Sequence, residues 1–241
     1  MTKPAPFSFS SFSDFVSCPR KFFETRVLKR WKEDQDGEHL VWGREVHKAF
    51  EDRQRDGIGP DGKPVSPLPD NLAQHEPYMR RLDAIPGKLF VEQRVALNTK
   101  LEPCEFFAED CFYRGVIDWI KVDLNATPEY GRATIVDYKT GKVNEKWRQL
   151  ILNALWVFQR FGEQKNVRIA DCRFYWTKDP KHRSQKVYGY GERDLLWKGI
   201  IPDLKQYKEA FKLDTWQPRK SGLCAGWCPV KDCENWSPRR K

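Results

Sequence analysis

Gly115-Val116-Ile117-Asp118-Trp119 and, after a polar interval, Val136-Asp137-Tyr138-Lys139-Thr140-Gly141-Lys142 are the stretches on which the fold turns. Each is rich in β-branched and aromatic residues, the composition of a strand. Asn, Pro and Gly cluster between them at residues 125–130, where a turn is expected. Side chains alternate along a strand, so Asp137 and Lys139 leave the same face. If the strands pair antiparallel about that turn, facing residues carry numbers totalling about 255, which sets Asp118 opposite Asp137. A slip of one residue would flip a face, so the reading depends on this register. Two carboxylates and a lysine then converge on one patch of sheet. Adjacent carboxylates repel unless a cation or proton lies between them. A divalent metal with oxygen ligands is the natural resolution. Such an ion lowers the pKa of bound water and polarises a phosphoryl oxygen, and Lys139 can orient that water or offset charge growing on phosphate. Taken alone, the same three residues also make an ordinary ladder of surface ion pairs.

The pattern outward from this hairpin is mixed. Residues 10–28 read as a helix with Phe12, Phe15, Val16, Phe22 and Phe23 on its apolar side, capped at Ser10 or Ser11 and kinked or divided by Pro19. A charged connector over residues 32–38 leads to a second helix over 40–55. A Gly- and Pro-rich loop follows at 56–70, then a short helix over 72–85. Strands are expected over 89–97, 106–122 and 133–138. Residues 144–161 return to helical spacing, with Trp147, Leu150, Ile151, Ala154, Leu155, Phe158 and Phe161 on one side. Gln149, Lys142, Lys146 and Asn153 share the opposite face, which suits a phosphate backbone or plain solvent equally. Strands over 167–176 and 187–190 and a last helix over 193–211 complete the set. The fold class is α/β, a sheet with helices on its faces.

Composition bounds the function. Hydrophobic residues at 39% and charged residues at 32% describe a globular chain, and 241 residues suffice for one well-buried domain with an extension. No apolar run is long enough for a bilayer. Residues 1–17 alternate Phe and Ser without a basic start, so no signal peptide is expected and a cytoplasmic protein is. A net charge of +9 and a pI near 9.2 favour a polyanionic partner, although a merely basic protein has the same balance. Most of the ten Trp and fifteen Phe must be core; a few exposed rings could stack on unpaired bases.

Seven cysteines in a cytosolic chain argue against a disulfide framework. Cys104, Cys111 and Cys172 stand singly in apolar surroundings, as core residues do. Cys224, Cys228 and Cys233 have ligand spacing but are one thiolate short of a closed tetrahedral site; Cys18 is the obvious fourth. Four such thiolates could hold zinc or an iron–sulfur cluster, and spacing alone does not decide.

Asp118, then Asp137-x-Lys139 followed by Thr140-Gly141-Lys142, resembles the motif set of the PD-(D/E)XK nuclease superfamily, specifically its RecB-like exonuclease branch. That branch includes the nuclease domains of bacterial recombination helicases and the CRISPR-adaptation exonucleases. Trp42-Gly43-Arg44-Glu45-Val46-His47 looks like the family's helical motif, and Gln149 falls where the family places a glutamine after the lysine. The resemblance implies a restriction-endonuclease-like core, a mixed central sheet flanked by helices. It implies that His47, Asp118, Asp137 and the carbonyl of Tyr138 ligate Mg²⁺ or Mn²⁺, with Lys139 and Gln149 completing the catalytic set. Glu92, at the start of the preceding strand, ranks behind these. Many members also carry a [4Fe–4S] cluster held by one cysteine before the core and three after it. Cys18, Cys224, Cys228 and Cys233 fit that order, although the triplet departs from the commoner two-then-five spacing and Zn²⁺ stays open. The cluster's role would be structural, joining the N- and C-terminal segments.

The expected protein is thus a single nuclease domain: an N-terminal segment (1–30), a core (40–215) and a cluster segment (216–241). Its expected function is hydrolysis of phosphodiesters at DNA ends or single strands, in repair, recombination or phage-type DNA processing, in a bacterium or encoded by a phage. There is no helicase motif, so an unwinding or recombination partner would be a separate chain, and no membrane is involved. Two other classes compete. One is a nuclease-derived DNA-binding scaffold without chemistry, which has no need of the full Asp118, Asp137, Lys139 set. The other is a zinc-binding regulator of nucleic acids whose hairpin carboxylates are only structural.

Overall fold

The computed structural model describes residues 6–32 and 37–238. The connector expected over 32–38 lies mostly outside the described residues, as do the first five residues of the chain. The chain divides into two compact units, one of Met1–Gln35 with Lys198–Lys241 and the other of Asp36–Trp197.

The larger unit is built on one five-stranded sheet in the order β1 (Lys88–Asn98), β2 (Cys111–Asp123), β3 (Gly131–Lys139), β4 (Val167–Trp176) and β5 (Ser184–Gly189). Neighbours are antiparallel except β3 and β4, which are parallel. A parallel pair needs a crossover, and the helix Trp147–Val157 supplies it. Sheet and flanking helices make the mixed α/β architecture expected of the sequence. The β2–β3 ladder runs from Trp119↔Val136 to Asp123↔Arg132, the register read from the turn.

In chain order the helices are α1 (Phe9–Ser17), α2 (Pro19–Phe22), α3 (Glu38–Asp56), α4 (Glu76–Asp83), α5 (Trp147–Val157), α6 (Arg193–Lys198) and α7 (Ile201–Leu213). On one face of the sheet α3 and α4 bury Val46, Phe50, Met79 and Leu82 against Trp119, Val136, Tyr138 and Tyr175. Several polar groups inside this layer are paired, as burial favours, although Arg53 Nη1 and the Tyr138 hydroxyl have no hydrogen-bond partner among the described residues. Trp119 Nε1 donates to Gln54 Oε1 at 2.8 Å, fixing α3 on β2. The fully buried Arg53 guanidinium holds α3 to α4 through Glu76 and Asp83, at 2.7 and 2.8 Å. Lys121 donates to the carbonyls of Leu82, Asp83 and Ile85, satisfying the end of α4.

Several boundaries differ from expectation; the first helix, for one, is capped by Ser8 rather than by Ser10 or Ser11. β2 begins at Cys111 rather than at 106, because two successive turns close by Ala108 N–H to Glu105 O and Cys111 N–H to Ala108 O. α5 begins at Trp147 rather than at 144 and ends in a π-helical turn, Phe158–Gly162. It is buried on nearly all sides, and Asn153 is among the buried residues, accepting from the Tyr113 hydroxyl at 3.5 Å. The expected polar face therefore does not include Asn153. β5 spans Ser184–Gly189, and Tyr190 already belongs to a 3₁₀ turn. The last helix is two, α6 and α7: Gly199 is a poor helix former, and Pro202 lacks the N–H that continuity would use.

The smaller unit brings both chain ends together. Pro19 divides the first helix, with the intervening Cys18 extended at φ −159° and ψ 105°. Phe15 and Phe22 pack edge-on against Tyr207 of α7, at 5.2 and 5.5 Å between ring centroids. Among the described residues no helix is long and apolar enough to cross a membrane.

Trp119→Phe keeps an aromatic ring on β2, though a smaller one, and strands the Gln54 carbonyl oxygen in the core. An unsatisfied buried acceptor costs about 1–3 kcal/mol, so urea unfolding should show a loss of about 2 kcal/mol. Unchanged stability would mean that the bond does not anchor α3.

Candidate active site

Three elements of the larger unit meet where the β1–β2 and β2–β3 ladders open. On β1 the pairs Val91↔Trp119 and Gln93↔Ile117 flank Glu92, which pairs with nothing and has φ 49°. This left-handed conformation costs a residue with a Cβ roughly 1–2 kcal/mol, and such strain is characteristic of functional positions. Asp118 faces that gap from β2. Its Oδ2 accepts the Tyr138 backbone N–H at 2.7 Å, so the β3 backbone itself orients the carboxylate. His47, presented by α3, lies with Nδ1 3.6 Å from the same oxygen. Ligand atoms of His47, Glu92 and Asp118 all fall within 4.8 Å of one another.

Asp137 and Lys139 do share a face of β3, as alternation requires. Lys139 Nζ lies 2.5 Å from Asp137 Oδ2 and donates to Gln149 Oε1 at 2.9 Å. The Gln149 amide returns to Asp137 Oδ1 at 2.5 Å. The glutamine of α5 thus locks acid and base into a closed ring. Asp137 is buried, and its Oδ2, although beside the ammonium, makes no hydrogen bond of good geometry.

Electrostatics tie the two groups together. The Asp118 carboxyl is held well above the usual carboxylate range, first by burial and next by the charge of Asp137; the Tyr138 amide and Lys139 oppose this. Burial, then Glu51, raises Glu92 as well. His47 is pushed down by burial, against the pull of Asp137, so its imidazole stays neutral and able to ligate. A backbone hydrogen bond with Tyr138 also acts on that ring. Crowded, partly desolvated carboxylates beside a neutral imidazole are a donor set that a divalent cation would stabilise.

The cavity above these groups has a volume of about 580 Å³ and is lined by His47, Glu92 and Asp118 together with the exposed cations Arg44, Lys48 and Lys178. Gly43 permits a close approach here: a Cβ on it would stand 3.2 Å from Thr140 Oγ1, so α3 can sit against the end of β3. Lys48, Glu51 and Lys178 were missed by the sequence reading. Glu51 follows His47 by four residues, a spacing that puts both on one helical face. Lys178, between β4 and β5, carries no local signal. Tyr138 contributes its N–H to Asp118 and buries its ring against Phe50, 5.0 Å between centroids.

In the smaller unit, Cys18 Sγ accepts backbone N–H groups of Lys21 and Arg219, at 3.5 and 3.4 Å, bridging the two ends of the chain. The Cys228 thiol is raised by burial and also feels Cys18 and Cys224, while Cys233 is raised by burial and also feels Cys18. Among the described residues no three of these sulfurs lie within 4.8 Å of one another. Cys111 and Cys172 are buried; Cys104 is half-buried rather than core.

The family model of the PD-(D/E)XK nuclease superfamily matches residues 6–233, and the chain belongs to that superfamily. Among solved structures, a candidate exonuclease from Eubacterium rectale is 14% identical, with 92% of this chain and 86% of that one covered and a TM-score of 0.45. The protein SSO0001 is 8% identical, with 98% and 90% covered and a TM-score of 0.42. No curated protein matches the sequence.

Proposed function

We propose that this member of the PD-(D/E)XK nuclease superfamily is a Mg²⁺- or Mn²⁺-dependent deoxyribonuclease that works as an exonuclease on DNA ends or single strands. The observation that carries the reading is the closed ring of Asp137, Lys139 and Gln149 beside the Asp118, His47 and Glu92 pocket. A buried carboxylate oxygen without a well-formed hydrogen bond and a neighbouring carboxyl raised by crowding fit a cation between them. His47, Asp118, Asp137 and the Tyr138 carbonyl would hold the ion, with Glu92 in support. When bound, a divalent cation supplies positive charge against phosphoryl oxygens and lowers the pKa of water.

The protein's own groups do the rest. Gln149 and Asp137 fix the Lys139 ammonium, which then faces charge developing on the phosphate at little reorganisation cost. Arg44, Lys48 and Lys178 draw the backbone into the cavity, so binding should weaken steeply with salt. A role in DNA repair, recombination or phage-type processing, in the cytoplasm and beside a separate helicase or recombination protein, goes with this activity.

We also propose a structural [4Fe–4S] cluster on Cys18, Cys224, Cys228 and Cys233. Cys18 Sγ accepts the Arg219 N–H, which brings the N-terminal cysteine to the segment that carries the other three and suits one shared centre, with Zn²⁺ the alternative.

On end-labelled linear DNA with Mn²⁺, Asp137→Ala should lower the cleavage rate about a hundredfold or more, and Lys139→Ala similarly. Metal-free DNA binding by Asp137→Ala should stay within about twofold of wild type, because no phosphate-binding cation is lost. Cleavage at the wild-type rate by Asp137→Ala would refute the assignment. Closed circles should resist, and their rapid linearisation would show an endonuclease.

Protein purified without oxygen should be brown, with about four irons per chain. Cys18→Ser should lower the melting temperature more than Cys104→Ser, since losing a ligand removes metal-binding free energy from the native state. Colourless protein with one zinc would refute the cluster. A Cys18→Ser variant as stable and metal-loaded as wild type would refute any metal there.

A further inference from the structure

Between β1 and β2 the chain folds back on the end of β1 instead of making a tight hairpin. Asn98 Oδ1 accepts the backbone N–H groups of Lys100 and Glu102, and Cys104 N–H bonds to the Ala96 carbonyl. The next turn closes from Ala108 N–H to Glu105 O at 3.1 Å, which puts Phe106 and Phe107 at its two central positions. Central turn positions favour Gly, Pro, Asn and Asp and are exposed. Two phenylalanines gain nothing from the turn itself. Phe107 is 75% exposed, which leaves unburied an apolar surface worth about 1.5–3 kcal/mol.

The surroundings say what the rings suit. Phe106 and Phe107 lie edge to face, with centroids 5.0 Å apart. The guanidinium groups of Arg94 and Arg114 each stand 5.5 Å from the centre of Phe106, and Arg114 is 5.9 Å from Phe107. The rings border a cavity of about 790 Å³ closed by Trp156 and Arg160, within the roughly 300–1,000 Å³ of ligand sites. Glu105 is its one acidic lining residue, against Arg94 and Arg160. Glu109 and Asp110 follow on the loop outside the cavity. Cations set beside one exposed ring, Phe107, and one half-buried ring, Phe106, match a ligand that alternates phosphate with flat rings. Bases within a duplex are stacked inside and cannot reach such rings.

We propose that Phe106 and Phe107, flanked by Arg94, Arg114 and Arg160, form a stacking platform for unpaired bases of single-stranded DNA. The proposal rests on the nuclease reading for its place in catalysis. Glu92 lines the active-site cavity and the next residue of β1, Gln93, lines this one, so the two cavities share a strand. A strand held on the platform enters or leaves the cavity of His47 and Asp118.

The test is the affinity of labelled oligothymidine, measured by fluorescence anisotropy in EDTA so that cleavage plays no part. Phe107→Ala should weaken binding roughly five- to a hundredfold, the worth of one base–aromatic stack. Phe107→Trp should restore it, and Phe107→Leu, apolar but without a π face, should not. An abasic strand with the same phosphates should bind wild type and Phe107→Ala alike. Oligothymidine affinity unchanged within about twofold in Phe107→Ala, full rescue by Leu, or equal loss with the abasic strand would each overturn the platform. Cleavage of linear duplex with Mn²⁺ is read in parallel. Wild type that cleaves, with Phe107→Ala binding normally, sinks the platform and spares the nuclease; the reverse pattern sinks the nuclease and spares the platform.

Discussion

Two carboxylates held side by side with little water must be stabilised by something, and most of the larger unit serves that requirement. Asp118 and Asp137 stand on adjacent strands, and the charge of Asp137 raises the cost of ionising Asp118. The fold answers with fixed dipoles and one cation. Tyr138 aims its N–H at Asp118 while its ring is locked in the core beneath α3, so the donor cannot turn away. Lys139 and Gln149 hold Asp137 from the other side. These groups offset part of the repulsion, and the upward shift of Asp118 is the part left over. That remainder is what a divalent cation would relieve.

The site is therefore assembled by core packing as much as by its polar members. His47 reaches Asp118 because α3 is fixed on β2 by the Trp119–Gln54 bond and on α4 by Arg53. Gly43 lets the helix sit against Thr140. Gln149 reaches β3 because α5 must cross over to join parallel strands. Among the residues of the site, Glu92 alone has a left-handed backbone, and it interrupts the ladder opposite Asp118.

How legible all this was depended on the range of the interactions. The hairpin register followed from a polar turn and strand alternation, both local, and the ladder obeys it. Pro19 announced the break between α1 and α2 through its own missing N–H. The failures have nonlocal causes. Phe106 to Asp110 have strand-like composition at their start but are bent into turns by backbone bonds that composition does not encode. Asn153 reads as a surface residue, yet α5 is enclosed and Tyr113 supplies its partner. His47, Asp118, Asp137, Lys139 and Gln149 could be proposed for the site from order and motif, and the contacts among Asp137, Lys139 and Gln149 and between His47 and Asp118 are consistent with that proposal. The positive φ of Glu92 and the arrival of Lys178 depend on how distant segments meet, which no motif records.

The central claim, that the paired carboxylates exist to hold a divalent cation, is tested most directly by locating Mn²⁺ through its anomalous scattering in crystals of the protein. The account predicts a peak within coordination distance, ~2.2 Å, of carboxylate oxygens from both Asp118 and Asp137. An absence of manganese there at saturating concentration, with Lys139 still paired to Asp137, would contradict it.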